Sequence, residues 1–149
     1  MNIAILDKWR KRHGVQRDVA VAEAAGSPDE DQEGVAALLS ECEFLRTLAA
    51  QAGLRLDDTP ASLEELDQIV PRWRGDEDAE SWLGNDAGLY LGTVLVRTVP
   101  GSHWQVWPSG RPVVVLRSGR RIDVVERGHE WARHGSPELF QVYAEASEA

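Results

Sequence analysis

The chain has 149 residues, 42% of them hydrophobic and 28% charged, which suits one domain with its own core. A formal net charge of -9 argues against nucleic acid as an electrostatic partner, because neutralising phosphates requires a basic face. The single cysteine, Cys42, excludes an internal disulfide and fits a reducing compartment. The opening MNIAIL is too short an apolar run for a signal peptide, so a cytoplasmic protein is expected.

Residues 1–17 carry Lys8, Arg10, Lys11, Arg12 and Arg17 against Asp7, a balance of +4 that leaves -13 for the remainder. Ile3, Leu6 and Trp9 share roughly one helical face, so this segment reads as a basic amphipathic helix. Its apolar face is small, which favours a solvated or self-docked helix over peripheral attachment to an anionic membrane. Residues 18–34 read as an acidic, flexible linker, with GSPDEDQEG supplying turn formers and a block of acids. An α+β domain is expected over residues 35–149.

Within that domain, Val35, Leu38, Leu39, Cys42, Leu45, Leu48, Ala49 and Ala52 repeat at helical spacing, with Gly53 as the stop. Cys42 lies on this apolar stripe and reads as a buried structural thiol. Leu54-Arg55-Leu56 alternates as a short strand would. Ser62-Leu63-Glu64-Glu65 matches a capping box, so a helix is expected from Ser62 to the vicinity of Pro71. The following Arg72-Trp73-Arg74 reads as a core-edge tryptophan between arginines that pair with Asp76, Glu77 and Asp78.

The organising stretch is Glu80–Leu116. Gly84, Gly88 and Gly92 fall four residues apart in a helical pattern, and each such step advances about 400°, so they form one slowly drifting stripe. Each glycine costs a helix about 1 kcal/mol relative to alanine, a loss that close approach of another backbone offsets. The apolar run Leu89–Val99 contains Arg97 and is far shorter than the roughly 20 residues that span a bilayer. Three strand-like runs follow: His103–Trp107, Pro112–Leu116 and Arg121–Val125, separated by Pro108-Ser109-Gly110 and Ser118-Gly119. The middle run is apolar on both faces and reads as the central strand of an antiparallel meander lying on the glycine ladder. Helices are expected over Glu126–His134, stopped by Gly135, and from Ser136-Pro137-Glu138 onward, with Ser136 as cap.

No catalytic motif emerges. His129 and His134 are five residues apart, on the order of 140° around a helix, and so miss the four-residue spacing of the zinc-protease motif. No cysteine cluster, nucleophile elbow, Walker loop or dinucleotide fingerprint is present, so no metal and no cofactor are expected. Gly84-Asn85-Asp86-Ala87-Gly88 lacks the lysine and preceding strand of a phosphate loop. Six tryptophans are many for this length, and Trp82, Trp104 and Trp107 fall in or beside the organising stretch. If Trp104 and Val106 face the core, His103, Gln105 and Trp107 share the other strand face. Trp82, Asp86, His103, Gln105 and Trp107 are therefore the candidate binding residues.

The segments ILDKWRKRHG, WLGNDAGLYLGTVLVRTVPGSHWQVWPSGRPVV and SPELFQVYAEA resemble a family of small uncharacterised actinobacterial proteins that carry a domain of unknown function. The glycine helix followed by a tryptophan-bearing strand is also similar to other small bacterial domains, many of which place an acid after the second glycine; Thr93 stands there in this chain. The resemblance supports the fold unit and implies no activity. The expectation is an α+β domain in which helices pack on one face of a three-stranded antiparallel β-meander. Its leading function is non-enzymatic: binding a protein partner, inhibitor- or immunity-like, or self-association. The alternatives are a small-ligand binder or enzyme with a pocket near Trp82, Asp86, His103 and Trp107, and peripheral membrane association through residues 1–17.

Overall fold

The computed structural model describes residues 32–69 and 77–148. In chain order these form α1 (Gln32–Leu39), α2 (Glu43–Gln51), α3 (Pro60–Asp67), α4 (Glu77–Thr98), β1 (His103–Val106), β2 (Pro112–Val115), β3 (Arg121–Ile122), α5 (Val124–His134) and α6 (Leu139–Glu148). The fold is α+β. The expected basic helix over 1–17, most of the 18–34 linker and the Arg72-Trp73-Arg74 cluster lie outside the described residues.

Helix α4 is central, and its glycines explain how. A methyl group on Gly84 would sit 2.9 Å from the Cα of His129, and one on Gly88 would sit 2.6 Å from the Cα of Val125. The partner helix contributes a glycine of its own: a methyl on Gly128 would sit 2.7 Å from the Cα of Gly88. Helices α4 and α5 therefore touch backbone to backbone. This corrects the expectation that the whole ladder lies against the sheet. Only Gly92 does so, where a methyl would come 2.8 Å from Cζ2 of the buried Trp104. The ladder is split between two partners because the short third strand hands the chain to a helix, not to further sheet.

The sheet runs in the order β1-β2-β3, antiparallel throughout, with β2 central as its two-sided apolar pattern predicts. Trp104 pairs with Val114, and Val114 with Ile122, so one inward-facing row crosses all three strands; all three are buried. The third strand was expected to reach Val125. It stops at Ile122 because the Asp123 carboxylate accepts from Glu126 N–H at 3.2 Å and starts α5 at Val124. Gly135, at φ 72°, ends α5 as expected.

Four further expectations change. The single helix expected over Val35–Ala52 is two helices, broken where Cys42 takes a left-handed conformation at φ 41°. Arg46 bridges the break, donating to the carbonyls of Ser40 and Glu41 at 3.0 Å each. Leu54–Leu56 forms no strand. Helix α3 starts at Pro60 with Thr59 as its cap, three residues ahead of the expected start. Ser62 is instead buried inside that helix, where its hydroxyl meets the Tyr90 hydroxyl at 2.7 Å. Lastly, α6 begins at Leu139, and Ser136 does not cap it.

The α6 cap comes from another helix. Asp67, the last residue of α3, accepts from the N–H groups of Leu139 and Phe140 at 2.8 and 3.1 Å and from Trp131 Nε1 at 2.8 Å. Asp86 of α4 does the same for α2, accepting from Leu45 N–H at 3.1 Å. Cys42 precedes α2 without a capping side-chain bond, so the buried Asp86 supplies what its own flank lacks. Burial pushes the Asp67 carboxyl above its usual range, against the pull of its three donors.

These contacts set two expectations, both read by urea denaturation. Gly88→Ala and Gly128→Ala each press a methyl into a helix backbone and should cost at least about 3 kcal/mol. Gly110→Ala, which meets open space at φ 87°, should cost only about 1 kcal/mol for its left-handed backbone. Asp67→Ala should cost about 2–4 kcal/mol, since it strands a tryptophan N–H and two helix N–H groups together. Equal losses at Gly110 and Gly128 would refute the close-contact account.

Candidate functional site

The structure separates the five residues singled out in the sequence. Trp82 and Asp86 sit four residues apart on the side of α4 that faces α2, where Trp82 meets Phe44 edge-on at a centroid distance of 5.6 Å. Two residues along a helix is about 200°, so Trp82 lies nearly opposite Gly84 and the α5 contact. His103 and Gln105 share the face of β1 opposite the buried Trp104, whereas Trp107, expected to continue that face, lies past the strand's end at Val106. His103 is exposed, and Gln105 Oε1 accepts from Arg121 Nε at 3.0 Å. Trp107 is half-buried at the start of the β1–β2 turn.

Most buried polar groups hold the fold. Tyr90 in α4 accepts from Asp58 N–H at 2.8 Å and meets Ser62, while Asp58 is ion-paired to Arg46 and Arg97 at 2.9 and 3.2 Å. The Arg46 guanidinium also lies 5.3 Å from the Tyr90 ring centroid. Burial raises the Tyr90 phenol above its ordinary pKa and keeps it neutral. Thr93 turns its hydroxyl back to the Leu89 carbonyl at 2.9 Å and is buried.

A different set of groups meets at the β1–β2 turn. There Pro108–Pro112 stands over α4 and α5 and encloses a groove of ≈ 520 Å³ lined also by Asn85, Val125, Glu126 and His129. The turn is held by Trp107 N–H to the Arg111 carbonyl at 3.0 Å and Gly110 N–H to the Trp107 carbonyl at 2.8 Å. Arg111 is anchored in turn by Asp123 at 3.0 Å and Glu126 at 3.2 Å. The charges on these walls are thus already paired.

The groups left for a ligand are neutral. Asn85, Ser109 and His129 make no side-chain hydrogen bond among the described residues, and all three line this groove. His129 reaches it because Gly84 has no side chain: a methyl there would stand 2.5 Å from the imidazole Nδ1. Burial lowers the His129 pKa, and the positive charges of Arg133 and Arg111 add to the effect against Glu126 and Asp123. The imidazole is therefore uncharged at neutral pH. Asn85 and Ser109 neighbour residues chosen from sequence, but His129 was weighed there only as a metal ligand. Its pairing with Gly84 spans two helices and leaves no spacing signal. Among the described residues, no group of three or more His, Cys, Asp or Glu side chains is placed to hold a metal ion.

A lowered histidine pKa has a definite sign. Between the folded pKa and about 6.5, the unfolded chain binds more protons, so His129's contribution to stability is complete above about pH 6.5 and is lost as the pH falls. The difference in melting temperature between the native protein and His129→Gln should therefore shrink as the pH is lowered from about 7.5 to 5. A difference that stays constant would mean that His129 is not the neutral, half-buried group described.

No curated protein and no solved structure matches this chain. Among the described residues, no helix is long and apolar enough to cross a membrane. A family model, described only as a family of unknown function, matches residues 1–149. The chain that carries this glycine-joined helix pair and its groove thus belongs to the family of unknown function DUF6278.

Proposed function

We propose that this protein is a cytoplasmic, non-enzymatic module that binds a protein partner in the groove between the β1–β2 turn and α5. The observation that carries the reading is the trio Asn85, Ser109 and His129, neutral hydrogen-bonding groups in one groove left unengaged among the described residues. Peptide bonds carry the same neutral donors and acceptors. An open groove with apolar Pro108, Pro112 and Val125 beside those groups suits an extended segment of a partner chain. The partner is another protein or a second copy of this one, and an inhibitor- or immunity-like role is the form that an acidic body fits best.

A second reading uses the same groove. At ≈ 520 Å³ its volume falls within the range of about 300–1,000 Å³ typical of small-molecule sites. A small neutral polar ligand would then replace the peptide.

A photo-crosslinking residue at Ser109 of the full chain, introduced in the native cell, separates the two. One discrete protein adduct is expected, and it should be lost when Asn85→Ala and His129→Ala are combined. Native mass of the purified chain then shows whether the partner is a second copy. If no protein adduct forms while a cell metabolite raises the melting temperature of the native chain but not of the double variant, the small-ligand reading replaces the first.

A further inference from the structure

Negative charge is not spread evenly along this chain. Residues 111–133 hold six arginines against Asp123, Glu126 and Glu130, a balance of +3 that leaves -12 elsewhere. The β2–β3 turn concentrates that excess. Leu116 N–H bonds to the Arg120 carbonyl and Gly119 N–H to the Leu116 carbonyl, both at 2.8 Å, which holds Arg120 and Arg121 at the sheet edge. Both residues line a second groove, of ≈ 340 Å³, together with Asp123, Arg127 from α5, and Gln141 and Glu145 from α6.

The guanidinium groups there are only partly engaged. Arg120 makes no side-chain hydrogen bond or ion pair among the described residues. Among the described residues Arg121 donates through Nε alone, to Gln105. Arg127 pairs with Glu130 through one terminal nitrogen. Asp123, the nearest carboxylate in sequence, is taken by Arg111 and by the start of α5. Three arginines thus border one concavity with two carboxylates, of which Asp123 is engaged by Arg111 and Glu145 accepts from Gln141; Arg120 and Arg121 have no ion-pair partner among the described residues, and an anion there would gain several charge-assisted hydrogen bonds.

We propose that the groove between the β2–β3 turn and α6 binds a small phosphate monoester, with the phosphate between Arg120, Arg121 and Arg127 and the organic part against Gln141 and Glu145. Guanidinium forks match the geometry of phosphate oxygens, and arginine does this better than lysine. The volume admits a small molecule. Asp123 and Glu145 in the same lining, and the -12 carried by the rest of the chain, repel an extended polyanion and leave a single compact phosphate as the fitting class. This site shares no residue with the groove of the proposed function, so either can fail without the other.

The test is an NMR titration of the isotope-labelled full chain at low ionic strength, with glycerol phosphate and inorganic phosphate as probes. Saturable shifts at Arg120, Arg121 and Gln141 are expected, with glycerol phosphate binding the more tightly. Arg120→Ala should weaken binding by about 10-fold or more. Arg117→Ala removes the same charge from the same turn but outside the groove, and should weaken it by less than about 2-fold. Equal losses in the two variants, tighter binding of inorganic phosphate, or no saturation at millimolar concentrations of either probe would overturn the proposal. The amide spectrum of each variant shows directly that it remains folded.

Discussion

Helix α4 lies against α5 at backbone distance, and this is possible only because glycine stands on both sides of the contact. Gly84 and Gly88 on one helix and Gly128 on the other leave no Cβ where the two backbones meet. Each glycine weakens its helix by about 1 kcal/mol, so the arrangement persists only if the packing it permits outweighs that loss. The packing is extensive. With α5 held tight, Trp131 is buried and its indole N–H reaches Asp67, and α6 is set where the same carboxylate caps it. On the other side of the sheet junction, Gly92 admits the edge of Trp104 and so joins the meander to the same helix.

Buried carboxylates extend this logic from shape to polarity. A helix end inside a protein must find acceptors for its first N–H groups. Here α2 and α6 draw them from Asp86 and Asp67 on other helices, at 3.1 Å and at 2.8 and 3.1 Å. Removing either carboxylate would both expose donors and loosen a tertiary contact, because capping and docking are the same bond. Arg46 plays the complementary part at the α1–α2 break, satisfying carbonyls at 3.0 Å while its charge is balanced by Asp58. Polar groups in this core therefore act mainly as fasteners, and the chemistry available to a ligand lies at the margins of the sheet.

Those margins differ in character. The β1–β2 turn closes over a groove whose charges are paired and whose uncommitted groups are neutral. The β2–β3 turn borders one with three guanidinium groups, two of which, on Arg120 and Arg121, have no ion-pair partner among the described residues. Both grooves exist because a three-stranded sheet is too narrow to cover the helices beside it, leaving a concavity where each turn meets α5 or α6. The same contact between Gly84 and His129 that brings the helices together also holds the imidazole half-buried and uncharged.

The residues themselves announced a good deal of this. Alternation, turn formers and a two-sided apolar run marked the antiparallel meander with β2 at its centre, since these depend on neighbours close in sequence. The four-residue spacing marked a glycine stripe, and the apolar repeat marked Cys42 as buried. Sequence could not say what the stripe would touch, because a missing side chain is compatible with a strand, a helix or a tryptophan edge. Nor could it find the break at Cys42, the true caps Thr59 and Asp67, or the end of the third strand at Ile122. Each of those was decided by a hydrogen bond formed between distant residues or by a local cap that outcompeted the strand pattern. For the same reason His129 joined Asn85 and Ser109 while Trp82 and Asp86 turned toward α2: a site shared between helices is set by which faces meet, and that was settled only when the glycines allowed two backbones to touch.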